Sequence, residues 1–158
     1  VRIDSDGIKF GTDTAAANGL DDYEEGYHTL ALTDSAGDVT SIALNSSYNQ
    51  LAYTKIGRVV HISGTIVISS HSGSWESDGT LVMTLPFTVA DLTDNSGQST
   101  FTVGSHNVDF TSGGSVYAQT SEGAATATVY VSTDNTGAGK FQPSSSGQLY
   151  IGGTFIAA

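Results

Sequence analysis

Apolar and polar residues alternate along much of this chain with a period of two, which is the pattern of half-buried β-strands. The longest alternating segment covers residues 59–68. Its apolar face consists of Val60, Ile62, Ile66 and Ile68, with Gly64 between them. Ser63 and Thr65 fall on the opposite face, so the pattern predicts a strand that buries its isoleucines and turns its hydroxyls outward.

Other segments repeat this pattern at short intervals. The run from Leu81 through Met83 to Leu85 ends at a proline, whose missing N–H cannot continue a central ladder. Further strands are predicted at 27–33, 39–44, 51–55, 99–104, 107–111, 115–120, 124–132 and 148–156. Turn-forming residues separate them, and about ten short strands with such turns predict an all-β fold, an antiparallel β-sandwich of jelly-roll type.

Residues 1–11 differ from the rest because they carry apolar side chains without enough neighbours to bury them. These side chains alternate around a turn at 4–7 and are Val1, Ile3, Ile8 and Phe10. We predict that residues 1–19 are a shaft-like β segment and junction in contact with other chains, and that residues 20–158 form the sandwich domain. The alternative is a simple edge hairpin on the main domain.

The length of the chain predicts its domain organisation, and its charge limits the molecules that it can bind. With 158 residues, the chain is predicted to form one main domain whose core is large enough to fold without disulfides or metals. The formal net charge of −11 opposes binding to nucleic acid phosphates and to anionic membrane surfaces. No apolar stretch approaches the roughly 20 residues of a membrane span. We therefore expect no nucleic-acid partner and no membrane insertion.

The residues that commonly carry chemistry form no known catalytic motif. Cysteine is absent, which excludes disulfides, thiolate metal sites and a cysteine nucleophile. The histidines are His28, His61, His71 and His106. Their spacing does not match a zinc hydrolase and no G-x-S-x-G elbow occurs, so we predict no catalytic residue, no metal ligand and no cofactor. We expect His61 to be a packing residue of its strand. A carboxylate pair for glycoside cleavage stays open, because only the fold sets such a distance.

An acidic cluster precedes the first predicted strand and consists of Asp21, Asp22, Glu24 and Glu25. Its carboxylates could hold a hard cation such as calcium, which takes about six to eight oxygen ligands. The spacing of a calcium-binding loop is not present. We therefore interpret the cluster as a solvated turn in which Tyr23 packs inward.

The loop 71–79 contains Trp75, the only tryptophan of the chain, among polar and flexible residues. Its indole could offer a flat platform to a sugar ring, while Glu76 and Asp78 accept hydrogen bonds from hydroxyls. We predict a ligand-binding site formed by Trp75, His71, Glu76 and Asp78. The alternative is that Trp75 closes over the core or packs across an interface between chains.

Several motifs of the chain occur together in one known family. They are GLDDYEEG at 19–26, YTKIGRVV at 53–60, LPF at 85–87 and IGGTF at 151–155. The first resembles the junction between a shaft and a terminal domain, and the others resemble strands of that domain. In this order they are similar to the C-terminal β-domains of bacteriophage tail fibres and related virion proteins. The segment 91–147 matches no pattern of the family.

The resemblance implies a homotrimer on the virion, joined to other virion proteins through its N-terminal segment. It implies a non-catalytic domain for host attachment that binds a receptor on the bacterial surface, with a glycan as one candidate. Two alternatives stay open: a purely structural decoration or fibre-capping domain of a tail or head fibre, and a fragment of a glycan-degrading tail spike. Because the chain begins with Val rather than Met, we expect a processed chain or a fragment of a longer fibre.

Overall fold

The structure, a computed structural model, describes residues 2–4, 7–9, 12, 22–75, 79–108, 114–132, 139–143 and 147–158. Within these ranges β-strands are the predominant secondary structure, and the paired strands are antiparallel. The strands are β1 (Arg2–Asp4), β2 (Gly7–Lys9), β3 (Tyr23–Thr29), β4 (Leu32–Asp34), β5 (Ser41–Leu44), β6 (Gln50–Ile56), β7 (Val59–Ser72), β8 (Leu81–Thr84), β9 (Thr100–His106), β10 (Ser115–Thr120), β11 (Thr126–Ser132), β12 (Gly139–Lys140) and β13 (Gln148–Ile156). A short 3-10 turn covers Thr93–Asn95, and no helix within the described ranges is long and apolar enough to cross a membrane. The all-β, antiparallel prediction is confirmed, and the jelly-roll type stays a prediction.

The two N-terminal strands form a sheet of their own. β1 and β2 pair antiparallel with Ile3 opposite Ile8, and within the described residues neither strand joins the main sheet. The Ile3 side chain is 75% exposed. Val1 and Phe10, the other apolar residues of the predicted shaft-like segment, lie outside the described residues. The boundary between the two segments stays a prediction, as does the contact with other chains.

The remaining strands form a single curled sheet in the order β3-β6-β7-β13-β9-β10-β11-β8-β4. β12 lies beside β11, and β5 lies beside β7. β3 and β4 stand at opposite ends of this order, although only Leu30 and Ala31 separate them in the chain. The sheet therefore curls until its two ends meet at one continuous segment of backbone.

Hydrogen bonds on both sides of this segment hold the two ends of the sheet together. On the β6 side, the Leu30 N–H donates to the Asn49 carbonyl at 2.8 Å. On the β8 side, the Thr84 N–H donates to the Ala31 carbonyl at 3.1 Å. The Thr84 hydroxyl accepts from the Ala31 N–H at 3.0 Å and lies 2.9 Å from His28 Nε2. We call these contacts of Thr84 the seam.

The longest strand, β7, has an interrupted partner. β5 and β6 both pair antiparallel with β7 and are separated by residues 45–49. Within this break, the Asn45 N–H donates to the Val67 carbonyl at 2.9 Å. The Val67 N–H in turn donates to the Tyr48 carbonyl at 3.0 Å. Pairing with β7 therefore continues on both sides of the break, and the extra residues form a loop beside the strand.

One face of the curled sheet is buried and forms the core. The buried residues of the predicted alternating runs are Val60, Ile62, Ile66, Ile68, Leu81, Met83 and Leu85. The rings of Phe101 and Phe155 meet in this core with centroids 6.1 Å apart. A Cβ at Gly153 would lie 2.2 Å from the Phe101 ring, so β13 needs a glycine there to let the ring in. The predicted face of β7 and the run 81–85 are confirmed as core.

Two residues of the acidic cluster, Glu24 and Glu25, lie in a strand rather than in the predicted turn. β3 begins at Tyr23, so Glu24 and Glu25 are strand residues, and the Tyr23 side chain is 60% exposed instead of packed inward. The period of two explains the difference, because Tyr23 shares the outward positions of β3 with Glu25 and Tyr27. Asp21 lies outside the described residues.

The strand predicted at 107–111 is not found in the part of it that the structure describes. β9 ends at His106, and Asn107 has a positive φ of 55°. That left-handed conformation breaks the extended backbone, and Asn tolerates it better than most residues. Residues 109–111 lie outside the described ranges.

The two faces of β7 predict different costs of substitution. Ile62 is fully buried, so Ile62→Ala should lower the free energy of unfolding by about 2–5 kcal/mol through lost contacts and a cavity. Ser63→Ala, on the exposed face, is the control and should change it by about 0.5 kcal/mol or less. Urea melts of both variants and the parent measure these values. Equal losses of unfolding free energy in the two variants would mean that both faces of β7 are buried, which would contradict this description.

The seam predicts that acid weakens the fold. Burial lowers the pKa of His28 below its usual 6.5, against a smaller raising effect of the hydrogen bond with Thr84. The unfolded chain then takes up a proton more readily, so the contribution of His28 is present above about pH 6.5 and is lost as the pH falls through the lowered pKa.

We expect the melting temperature to fall between about pH 7 and pH 5, and to fall less in His28→Gln, which cannot bind that proton. His61→Gln, on the exposed face of β7, is the matched control. Circular dichroism melts at both pH values measure the difference. A pH dependence in His28→Gln as steep as that of the parent would refute the role of His28.

Candidate functional site

The predicted ligand residues lie at the end of β7 and in the segment that follows it. His71 belongs to β7, and its ring centroid lies 6.1 Å from that of Trp75, with the rings inclined by 60°. Glu76 and Asp78 lie outside the described residues. The structure therefore brings His71 and Trp75 together, and the ligand-binding role of the set stays a prediction.

The Trp75 side chain is half-buried and packs against the hydrophobic core. Its Nε1–H donates a hydrogen bond of 3.2 Å to the Pro143 carbonyl. The nearby Gly73 has a φ of +95°, and a Cβ there would lie 2.2 Å from the Asp38 carbonyl oxygen. Gly73 thus permits close packing against the turn after β4. These contacts correspond to the packing alternative for Trp75.

Several carboxylates hold the backbone or form an ion pair, and Glu25 accepts a hydrogen bond of 2.7 Å from the Tyr23 hydroxyl. The buried Asp34, at the end of β4, accepts hydrogen bonds from three N–H groups in the turn that follows it. Glu122 accepts from the Gly97 N–H, and Asp22 pairs with Lys55. Among the described residues, no three His, Asp or Glu side chains come together as a metal site requires.

The face of the sheet opposite the core, here called the outer face, carries aromatic and polar side chains. Strand register aligns across it a row of Tyr27, Ala52, Ser63, Gly152, Thr102, Tyr117 and Tyr130. Tyr27 is 75% exposed, and the Tyr117 and Tyr130 rings lie 5.6 Å apart. His61 is exposed on this face, 3.4 Å from the Thr154 hydroxyl, and is not the packing residue that we predicted. His61 is exposed because it lies on the polar face of β7.

A cleft of about 470 Å³ opens on the outer face across β7. Its lining residues are Asn45, Tyr48, Thr65, Val67, Gln148 and Tyr150. Tyr48 and Tyr150 are 50% and 47% exposed, so two aromatic rings reach solvent beside polar groups. We call this feature the tyrosine cleft. A second depression, of about 360 Å³, lies at β3 and β6 between Tyr27 and Tyr53.

Sequence reasoning missed the tyrosine cleft. Tyr150 occupies an outward position of β13 between the buried Leu149 and Ile151, and a large aromatic at such a position is a signal for a binding surface. Tyr48 stands in the polar segment 45–49, which is a signal of the same kind. The sequence could not show that strand pairing brings the two tyrosines to opposite sides of β7.

The contacts of Trp75 predict a loss of stability when its ring is removed. Trp75→Ala should lower the free energy of unfolding by about 2 kcal/mol, less than a fully buried ring would, because the indole is half-buried. Trp75→Phe keeps a ring but loses the hydrogen bond to Pro143, and should cost about 1 kcal/mol. Ser74→Ala, at an exposed position, is the control. A melting curve of Trp75→Ala identical to that of the parent would favour the sugar-platform role instead.

Comparison with known proteins shows what the fold resembles. No protein-family model matches the chain, and no curated protein matches it. Among solved structures, the crystal structure of the Dettilon tailspike protein (gp208) matches 89% of this chain with a TM-score of 0.67 and 20% sequence identity. This chain spans about a quarter, 25%, of the length of that tailspike chain. The chain is therefore similar in fold to one part of a tailspike protein.

Proposed function

We propose that this chain is a non-catalytic attachment domain of a bacteriophage tail fibre or tailspike, and that it binds a receptor on the bacterial surface. The main support for this proposal is the similarity in fold to part of a tailspike protein, which extends over 89% of the chain. The motifs at 19–26 and 53–60 favour the same class of protein. We also propose that the domain is located on the virion and that its strands are arranged as in a jelly roll.

The outer face supports a binding role for the domain. Tyrosine combines a large rigid ring with a hydroxyl, so it contacts polar ligands at a low cost in side-chain entropy. The row from Tyr27 to Tyr130 and Tyr150 of the tyrosine cleft present such groups from β-strands, which hold them more rigidly than loops would. Asp34 and Glu122 hold the backbone and Asp22 forms an ion pair, so these three carboxylates have structural roles.

Exposed apolar side chains support a homotrimer. Strand register aligns Tyr23, Ile56, Val59 and Ile156 in one row, and the first three are among the most exposed large apolar side chains. This row lies where residue 22 leads into β3, and the strand β1 carries a further exposed apolar side chain, Ile3. A second copy of the chain would cover both apolar surfaces, and closed symmetry is the common way to do so.

The test of the proposed function is attachment of the fluorescently labelled chain to intact cells of a panel of bacterial strains. We expect a mass three times that of the chain by light scattering, and saturable labelling of at least one strain. Val59→Glu should disrupt the trimer and weaken labelling on the order of a hundredfold, because avidity is lost. Thr100→Glu adds the same charge at an exposed position of β9 and is the control.

Other outcomes would replace the proposal. Absence of labelling on every strain, with the trimer intact, would favour a structural decoration or fibre-capping domain. Release of reducing sugar from the envelope polysaccharide of the labelled strain would instead favour a glycan-degrading spike.

A further inference from the structure

We propose that the tyrosine cleft binds a neutral pyranoside of a bacterial surface polysaccharide. This inference rests on the proposed attachment function, and it names the class of ligand and the residues that would hold it. Three properties of the cleft carry it: the separation of its two sides, the fixed direction of its amide groups, and the absence of ionisable groups other than tyrosine among its lining residues.

The spacing of the strands makes the cleft about one sugar ring wide. Its base is β7 at Thr65 and Val67, and its sides come from segments that pair with opposite edges of β7. Tyr48 lies in the break 45–49 on one side, and Tyr150 lies on β13 on the other. Because neighbouring strands lie about 4.8 Å apart, the two sides are separated by roughly 9–10 Å. That distance admits one pyranose ring in van der Waals contact with an aromatic side chain.

Hydrogen bonds within the protein fix the amide groups of the cleft. Asn45 Oδ1 accepts from the Ser47 N–H at 2.9 Å, so the Asn45 Nδ2 is directed away from that turn. The Tyr150 hydroxyl donates to Gln148 Oε1 at 3.0 Å, which leaves Gln148 Nε2 as a donor. Among the described residues, neither amide nitrogen has a protein partner. The cleft thus presents two oriented N–H donors beside two tyrosine hydroxyls.

The negative charge of the chain favours a neutral sugar over an acidic one. The formal net charge is −11, and the lining of the cleft contains no lysine, arginine or histidine. An acidic polysaccharide would therefore meet repulsion from the chain without a cationic partner in the cleft. The hydroxyl, ring and acetamido oxygens of a neutral sugar match the amide donors. The cleft therefore suits a neutral hexose or N-acetylhexosamine stacked on a tyrosine ring.

The test is saturation-transfer NMR with the full chain and the methyl glycosides of glucose, galactose, mannose, rhamnose and N-acetylglucosamine. We expect transfer to at least one glycoside. Tyr48→Ala and Tyr150→Ala should each weaken that binding roughly tenfold, because stacking area is lost. Gln119→Ala, at an outward position of β10 that belongs neither to the cleft nor to the row from Tyr27 to Tyr130, is the control. No transfer to any of these glycosides would overturn the inference, and so would equal weakening in the control.

A charge variant tests the amide donor directly. Asn45→Asp keeps an oxygen that can accept from the Ser47 N–H, but it replaces the Nδ2 donor by a negative oxygen. We expect glycoside binding to weaken roughly tenfold or more with an unchanged melting temperature. Gln119→Glu adds the same charge on β10, outside the cleft, and should leave binding unaltered. Equal losses in both variants would show a general charge effect and overturn the assigned role of Asn45.

Cell labelling separates failure of this inference from failure of the proposed function. Loss of both glycoside binding and labelling in Tyr48→Ala/Tyr150→Ala would support both. Labelling that persists in this double variant would overturn the cleft as the attachment site and keep the proposed function. Transfer to a glycoside without labelling of any strain by the parent would support the cleft and count against attachment. A changed oligomeric mass of the double variant would mark the cleft as an interface between copies and overturn the inference.

Discussion

The main sheet depends on one constraint of connectivity: β3 and β4 are consecutive in the chain but lie at opposite ends of the strand order. Only Leu30 and Ala31 separate them, so the two ends of the sheet cannot move apart. The Thr84 hydroxyl contacts both His28 and the Ala31 N–H, and therefore joins the end of β3 to β8. Curling encloses one face and leaves the other to solvent, which divides the residues of each strand into core and surface positions.

Much of this division could be predicted from the sequence, because alternation depends only on which side of a strand each residue faces. It located β7, β8 and β13 and identified isoleucines such as Ile62 as core. It could not show the strand order, since pairing joins segments that are distant in the chain, such as β13 with β7 and β9. The two-residue strand β12 has no period to detect, and the positive φ of Asn107 leaves no mark on hydrophobicity.

The candidate site illustrates the same limit. An aromatic ring among polar residues is a signal for a surface role of Trp75. In the fold, however, its indole contacts Pro143, 68 residues away in the chain, and packs against the core. The same reasoning applies to Tyr48 and Tyr150, whose rings do reach solvent. Sequence composition identifies aromatics in unusual surroundings, whereas only tertiary pairing decides which of them stay accessible to a partner.

The break between β5 and β6 separates folding from recognition in this domain. Pairing with β7 continues on either side of residues 45–49, so a change in the length of that loop would leave core residues such as Leu51 and Ile62 in place. Lengthening a surface loop costs little free energy compared with altering a strand. Mutation could therefore reshape one side of the tyrosine cleft through insertions and deletions, and the domain could acquire new binding preferences while its framework is preserved.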